Sequence, residues 1–223
     1  MAILGIFLVM LLAYLLGSVP TAYLVVKDEI LRKGTGNIGA MNVYRVLKDK
    51  KGNFIAILAF LLVMAVDAGK GALAFLVAKW FLFFGYEPFW GFTLAAFCAV
   101  LGHGASIYMK WRKGQFYGGR ALATLWGIVF VVNWILALLC LGIMIMAIII
   151  AEFVINRKVT WKKLPYILGH QLPGRISGII LCLILLYFFS YNVFCILIPS
   201  IGFSLYKHND RLTDYLKKLG KAA

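Results

Sequence analysis

Long blocks of apolar residues dominate this chain and leave few folds open to it. The blocks lie at 2–26, 54–66, 89–107, 121–151 and 176–205. Crossing the ~30 Å hydrocarbon core of a bilayer takes about 20 apolar residues, and every block except the second has roughly that length or more. Because 63% of the residues are hydrophobic, well above the share in a soluble domain, a water-soluble fold has no means of hiding them. The sequence therefore predicts an all-α, polytopic helical bundle, with residues 1–223 forming a single membrane domain.

The first apolar block argues against a removed signal peptide, and the cysteines argue against a disulfide framework or a zinc site. Block 2–26 lacks a basic N-terminal region and a small-residue cleavage site, so we expect a retained membrane span and not a removed signal peptide. The cysteines lie within apolar runs without ligand-like spacing, which argues against a disulfide framework or a zinc site; they are Cys98, Cys140, Cys182 and Cys195. We expect no cofactor and no metal ion.

Basic residues are concentrated in four polar segments. Of the 23 Lys and Arg residues, 21 lie at 27–51, 110–120, 157–175 and 207–221. Basic residues in short loops favour the cytoplasmic side of a membrane, so all four segments are expected on that side. An even number of membrane crossings must then separate each segment from the next.

This condition is met easily between the first two basic segments. Residues 53–85 and 89–109 supply two crossings, with a turn at 85–88 on the outer side. The first apolar block places the N-terminus outside, in agreement with the positive-inside pattern.

The two remaining apolar blocks decide the total number of crossings. Residues 121–155 and 176–205 must each turn back once, near 133–134 and near 190–192, which leaves four helices of about 15 to 17 residues. Seven crossings result, with the C-terminus inside. The alternative has five crossings and moves the segment 157–175 to the outer side, against the positive-inside pattern.

The net charge of +15 indicates contact with anionic lipid headgroups, which attract basic residues at helix ends. Short loops between membrane spans cannot build a reader of nucleic-acid grooves, and these loops carry no aromatic stacking platform. We therefore expect membrane lipids as partners and no nucleic acid.

Two charged residues lie inside an otherwise apolar run. Asp67 and Lys70 are three residues apart and share one face of a helix. Each costs about 3 kcal/mol to place in a membrane, so such residues face a bundle interior or a wet cavity and often carry function. The alternative is an internal ion pair with a structural role.

The first basic segment contains a stretch rich in glycines and amides, Gly-Thr-Gly-Asn-Ile-Gly-Ala-Met-Asn-Val-Tyr-Arg at 34–45. Glycines such as Gly36 let backbone N–H groups converge on an anion, and Thr35, Asn37 and Asn42 add neutral donors. Arg45 adds a cationic fork. This pattern indicates a phosphate cradle, with a plain connecting turn as the alternative.

The second basic segment repeats this chemistry. Gly118, Gly119 and Arg120 precede a predicted helix, whose N-terminus attracts anions. Lys110 adds charge in the same segment. His103 is a candidate base or phosphate donor, or an interfacial hydrogen-bonding residue.

The last basic segment places His208 directly after the final apolar block. It is a candidate phosphate donor, and the alternative is an amphipathic tail lying on the headgroups. The sequence shows no Ser-His-Asp order, no nucleophile elbow and no metal cluster. Three polar segments at one membrane face can instead bind two phosphate groups side by side. Proximity and charge neutralisation would then supply most of the rate acceleration.

The stretch at 34–45 closely resembles the first motif of the bacterial acyl-phosphate:glycerol-3-phosphate acyltransferases, the PlsY family. The resemblance extends along most of the chain, through 16–23, the Asp-x-x-Lys-Gly element at 67–71, the second motif at 101–103 with 118–124, and the third motif at 207–208. It implies a seven-helix membrane fold. It also implies transfer of an acyl chain from acyl phosphate to the primary hydroxyl of glycerol 3-phosphate, which gives lysophosphatidic acid, the first step of phospholipid biosynthesis. The site is expected to face the cytoplasm at the plasma membrane.

The resemblance also implies roles for individual residues. The catalytic group comprises Thr35, Arg45 and His208. The residues expected to bind substrate phosphate are Gly36, Asn37, Asn42, Lys110, Gly118, Gly119 and Arg120. The supporting residues are Asp67, Lys70 and His103.

All three motifs depart from the family pattern. In the first motif, Thr35 replaces a serine and Met41 a threonine. In the second, Arg120 and Ala121 replace lysine and glycine, with extra residues around 115–117, and the third, at 208–211, lacks the family's final asparagine. These changes keep two alternatives open. One is an acyltransferase with a different polyol-phosphate acceptor or acyl donor, and the other is a membrane transporter or binding protein for an anionic phosphorylated solute.

Overall fold

Helices account for nearly all regular structure in the described part of this chain, as its apolar blocks predict. The computed structural model describes residues 2–33, 36–82, 88–156, 159, 164, 167–168, 171–209, 212–213 and 217. The helices are α1 (Ala2–Ser18), α2 (Thr21–Val26), α3 (Glu29–Arg32), α4 (Ala40–Leu82), α5 (Pro88–Gly104), α6 (Ile107–Lys113), α7 (Leu122–Val132), α8 (Trp134–Asn156), α9 (Leu172–Phe189) and α10 (Tyr191–Tyr206). The predicted all-α class is confirmed.

Seven apolar helical stretches lie within the described ranges. Four are long and apolar enough to cross a membrane, namely Leu4–Val26, Ala40–Trp80, Trp134–Asn156 and Leu172–Phe189. Three shorter ones are Phe89–Gly104, Leu122–Val132 and Tyr191–Tyr206. Their number equals that of the predicted crossings. The crossings themselves and their orientation stay predictions.

Polar residues interrupt the helices where the sequence places the breaks. Asn133 separates α7 from α8, and its side-chain oxygen accepts a hydrogen bond of 3.1 Å from the backbone N–H of Leu136. This contact caps the new helix at its N-terminus. Ser190 separates α9 from α10. Both predicted breaks are confirmed.

The predicted helix lengths need correction. Around Asn133 the helices have 11 and 23 residues, and around Ser190 they have 18 and 16. The sequence predicts about 15 to 17 residues for each. The difference arises because the cap at Asn133 lies close to the start of its apolar block, while the helix continues to Asn156.

The long helix α4 contains a break at Gly52, whose φ of 78° is left-handed. Glycine adopts this conformation without a steric penalty. The apolar part of α4 therefore begins at Asn53, as predicted. The predicted outer turn at 85–88 lies outside the described residues except for Pro88, and so does most of the basic segment 157–175.

The chain forms two compact units. The first comprises Met1–Val132 with Ile196–Lys207, and the second comprises Asn133–Cys195 with His208–Ala223. In the first unit α1 packs on α4 and α5, and α4 packs on α7; in the second α8 packs on α9. The single membrane domain stays a prediction.

Glycines bring α1 and α5 into backbone contact. A Cβ atom on Gly17 would lie 2.0 Å from the carbonyl oxygen of Ala99, and one on Gly102 would lie 2.3 Å from that of Tyr14. Small residues allow such close approach between helices in lipid, where dispersion contacts replace the hydrophobic effect as the driving force. The ends of α1 and α5 are thereby held together.

Glycines also bring α4 and α7 into backbone contact. A Cβ atom on Gly71 would lie 2.1 Å from the carbonyl oxygen of Thr124, and one on Gly127 would lie 1.9 Å from that of Ala68. This contact fixes the part of α4 that carries the two buried charges predicted from the sequence.

Gly71→Ala is expected to destabilise the protein by about 1–3 kcal/mol, because the added methyl group overpacks the contact between α4 and α7. The matched control is Gly69→Ala in the same helix, where a Cβ atom meets nothing within 4 Å. This control gains helix propensity, by up to about 1 kcal/mol. Thermal unfolding in detergent measures both variants. Equal melting temperatures for the two would contradict the packing described.

Candidate active site

Two of the glycine-rich segments singled out in the sequence meet in the first unit. The backbone N–H of Ile38 donates to the carbonyl oxygen of Gly118 at 3.1 Å. The N–H of Gly119 donates to the carbonyl oxygen of His103 at 2.8 Å. The loop before α4 and the turn before α7 therefore form one surface at the end of α5.

The glycines of this turn are required by close contact. A Cβ atom on Gly118 would lie 2.2 Å from the carbonyl carbon and oxygen of Gly104, and one on Gly119 would lie 2.1 Å from Nε2 of His103. The imidazole ring thus packs directly on the backbone of Gly119. No larger residue fits either position without moving the turn.

Asn42 holds the first loop in place. Its side-chain nitrogen donates to the carbonyl oxygens of Ile30, Asn37 and Lys33, at 3.0, 3.1 and 3.2 Å. The side chain is buried. The amide nitrogen that the sequence assigns to phosphate therefore fastens the loop to α3 in this structure, and Asn37 contributes to the same contact through its backbone.

Asp67 and Lys70 form a buried ion pair, the structural alternative considered for them. Nζ of Lys70 lies 2.5 Å from Oδ1 of Asp67 and 2.5 Å from the carbonyl oxygen of Val19. The two side chains are 3% and 6% exposed. Nδ1 of His103 lies 3.8 Å from the same carboxylate oxygen. Pairing offsets the cost of burying each charge and ties α4 to the chain break after α1.

A cavity lies beside this ion pair. It is bounded by the break between α1 and α2 at residues 18–21 and by the two glycine-rich segments through Ile38, Tyr117 and Gly118. Asp67, Lys70, His103 and Ser106 complete its lining. Three of the predicted supporting residues and one predicted phosphate-binding glycine are therefore brought together around one opening.

Arg120 is buried next to the turn. Its Nε donates to the carbonyl oxygen of Lys207 at 3.2 Å, and the hydroxyl of Ser204 donates to the carbonyl oxygen of Arg120 at 2.6 Å. Ala121 follows with a φ of 62°. This left-handed conformation favours glycine, the residue found here in the family motif, and costs other residues roughly 1 kcal/mol or more.

Ala121→Gly is therefore expected to raise the free energy of unfolding by about 1 kcal/mol, because glycine adopts this φ without the Cβ clash. Thermal unfolding in detergent measures the change. An unchanged or lower melting temperature would show that the alanine is not strained there.

Three further predicted residues lie within the described part of the chain. Arg45 is half-buried in α4. Lys110 is exposed, with its Nζ donating to the carbonyl oxygen of Gly114 at 2.7 Å and lying 5.6 Å from the ring centre of Phe116. His208 is buried in the second unit. Thr35 lies outside the described residues.

A polar cluster fastens α2 to α6 beside the cavity. The hydroxyl of Tyr23 donates to Asp28 at 3.0 Å and accepts from Nε of Arg112 at 2.9 Å. Nζ of Lys113 lies 2.6 Å from the Asp28 carboxylate. The hydrogen bond from Lys113, followed by that from Tyr23, holds the pKa of Asp28 below its usual range. The carboxylate therefore stays ionised at neutral pH, and the stability it contributes is lost only as the pH falls through its lowered pKa.

Four cavity residues are not predicted from the sequence. Ser18, Thr21, Ser106 and Tyr117 line the opening. The sequence does carry a signal for the first two. Pro20 lies inside an apolar block and lacks the N–H that a continuing helix needs, so it marks a break at membrane depth. Non-helical backbone at that depth lines cavities or is buried in protein.

Comparisons with known proteins agree with this arrangement. The family model described as glycerol-3-phosphate acyltransferase matches residues 7–218. The glycerol-3-phosphate acyltransferase of Thermosynechococcus vestitus is 36% identical over 157 residues, which cover 66% of this chain and 68% of that protein. The one of Carboxydothermus hydrogenoformans is 34% identical over 190 residues, which cover 82% of this chain and 88% of that protein.

A solved structure confirms the predicted polytopic membrane fold. The crystal structure of PlsY, an integral membrane glycerol 3-phosphate acyltransferase, in its glycerol 3-phosphate form has a TM-score of 0.67 to this chain at 22% identity. The match covers 96% of this chain and 92% of that chain. Because the family model and the two relatives span most of the sequence, the chain belongs to the glycerol-3-phosphate acyltransferase family.

Proposed function

We propose that this protein transfers an acyl chain from acyl phosphate to the primary hydroxyl of glycerol 3-phosphate and releases lysophosphatidic acid. Membership of the family supports the acceptor and the reaction type. The observation that carries the proposal is the hydrogen bond between Ile38 and Gly118, which joins two glycine-rich segments around one polar cavity.

The reaction needs orientation more than it needs a protein nucleophile. The acceptor hydroxyl attacks the acyl carbonyl carbon, a new ester bond forms, and the bond between that carbon and the phosphate oxygen breaks. The departing phosphate takes the hydroxyl proton, so the atoms and charges balance. Holding both substrates in reacting geometry and stabilising the negative charge on the carbonyl oxygen supply most of the rate.

The described residues suggest a division of labour. Arg45 and Arg120 supply the positive charge that phosphate groups require, and the glycine turns hold the two segments together through their own backbone hydrogen bonds. Asn42 acts as a positioning residue that keeps the first loop closed on α3. His208 and Thr35 stay candidates for contacts to substrate.

The distribution of basic residues along the chain supports a cellular location and a membrane orientation for this protein. With 21 of 23 basic residues in four polar segments, we propose a multi-pass plasma-membrane protein with its N-terminus outside and its site facing the cytoplasm. This orientation matches the substrates, since glycerol 3-phosphate is a charged solute that does not cross lipid unaided.

Purified protein in lipid vesicles is expected to convert radiolabelled glycerol 3-phosphate to lysophosphatidic acid when acyl phosphate is added. Arg45→Ala is expected to lower this rate by at least about a hundredfold, because it removes a charge that stabilises the reacting phosphate or oxyanion. Lys48→Ala is the control, since that exposed lysine lies on the same helix. An equal loss in both variants would contradict the role of Arg45.

Three donors supplied in parallel test the rest of the proposal. Acyl phosphate is expected to give product, whereas acyl-CoA and acyl carrier protein are not. If product forms only with acyl-CoA or only with acyl carrier protein, that compound is the donor and acyl phosphate is not. Uptake of labelled solute into the vesicles without lipid product would favour the transporter alternative.

A further inference from the structure

Two buried hydroxyl groups in the cavity have no hydrogen-bond partner anywhere in the described part of the chain. They are Oγ of Ser18 and Oγ1 of Thr21. Ser18 is fully buried and Thr21 is 8% exposed. Both residues line the cavity, on either side of the break between α1 and α2. Buried hydroxyls in proteins are nearly always paired, so two unpaired ones at one opening indicate a missing partner.

The neighbouring backbone groups are already engaged. The hydroxyl of Ser106 donates to the carbonyl oxygen of Ser18, and Nζ of Lys70 donates to that of Val19. The N–H of Thr21 donates to the same Val19 oxygen at 3.0 Å. The break between the two helices is thus held by two side chains from other parts of the chain and by one backbone hydrogen bond of its own, and the two hydroxyls are left for a ligand.

The charge of the cavity restricts what that ligand is. Asp67 and Lys70 lie 2.5 Å apart, so their charges cancel within the lining. A phosphate placed there would meet the Asp67 carboxylate as well as the ammonium group, with no excess positive charge. An uncharged hydroxyl, in contrast, both donates and accepts, which suits two hydroxyls beside a neutralised ion pair.

We infer that Ser18 and Thr21 form a subsite for the uncharged hydroxyl-bearing part of the acceptor, and that they bind its non-reacting secondary hydroxyl. This inference rests on the proposed function and adds a source of acceptor specificity to it. The phosphate of the acceptor then lies toward the arginines and glycine turns. The primary hydroxyl is left facing the acyl donor.

A pair of acceptors tests the subsite. Glycerol 3-phosphate carries the secondary hydroxyl, and the monophosphate of 1,3-propanediol lacks it while keeping a primary hydroxyl. The wild-type protein is expected to prefer the first in kcat/KM by at least about tenfold, since a site built to bind a hydroxyl rejects the analogue without it.

Variants of Ser18 and Thr21 test whether their hydroxyls cause the preference for glycerol 3-phosphate. Thr21→Val and Ser18→Ala are expected to reduce the preference several-fold or more, while the KM for acyl phosphate stays constant. Thr21→Ser retains the hydroxyl and is expected to keep the preference. Ser200→Ala is the matched control, because its hydroxyl is equally buried and also lacks a described partner, yet does not line the cavity.

The possible outcomes distinguish a failure of the hydroxyl subsite from a failure of the proposed function. A preference that is unchanged in Thr21→Val and Ser18→Ala would overturn the subsite and show that these hydroxyls hold only water. A wild-type preference below about tenfold would overturn it without any variant, so variants that fail to fold leave the test intact. Absence of lysophosphatidic acid with wild-type protein would overturn the proposed function as well.

Discussion

Gly118→Ala is expected to lower the rate of acyl transfer by at least about a hundredfold, because a displacement of about 1 Å in positioning groups has an effect of that size. A methyl group at this position would lie 2.2 Å from the carbonyl carbon and oxygen of Gly104 and 2.5 Å from the carbonyl oxygen of His103. These are backbone atoms of α5 and cannot rotate away. The turn must move instead, which breaks the hydrogen bond from Ile38 that joins the two segments.

The radiolabel assay with acyl phosphate and glycerol 3-phosphate measures this effect on purified protein. Gly202→Ala is the control, since a Cβ atom there meets nothing within 4 Å and the residue lies in α10. The control is expected to retain wild-type activity. Full activity in Gly118→Ala would mean that the joined turn does not position the substrates.

Lys70→Met is expected to lower the free energy of unfolding by about 3–5 kcal/mol, the usual cost of leaving one buried charge without its partner. Its carboxylate partner Asp67 is 3% exposed, so water does not solvate it in place of the ammonium group. The loss also frees the carbonyl oxygen of Val19 and loosens the break between α1 and α2. Activity is expected to fall together with stability.

A double variant separates the ion pair from other effects. Asp67→Asn with Lys70→Met removes both charges and is expected to recover at least half of the stability lost in Lys70→Met alone. Denaturant unfolding in detergent gives both values. A loss in the double variant as large as that in Lys70→Met, or larger, would contradict the energetic coupling of the two side chains.

Local chemistry explains the parts of the fold that the sequence predicts. The break at Asn133 can be predicted because an amide side chain inside an apolar block can cap a new helix. The ion pair between Asp67 and Lys70 follows from their spacing and from the cost of burying either charge alone.

The cavity depends on contacts between distant parts of the chain, which no local pattern encodes. Pro20 marks a helix break between Ser18 and Thr21, but only the packing of α1 on α4 and α5 places these two residues beside Lys70. The sequence predicts Asn42 as a phosphate donor. In this structure its side-chain nitrogen instead donates to three backbone carbonyl oxygens, two of which lie outside the local sequence pattern.

A structure of the protein in lipid with glycerol 3-phosphate bound is the most direct measurement of whether one pocket at the joined segments holds the acceptor. We expect the ligand to place its secondary hydroxyl in the cavity between the turn at Gly118 and the break after Ser18, with its phosphate toward the glycine turns and its primary hydroxyl exposed to an acyl donor. Glycerol 3-phosphate bound away from this cavity, with the cavity empty, would contradict the account.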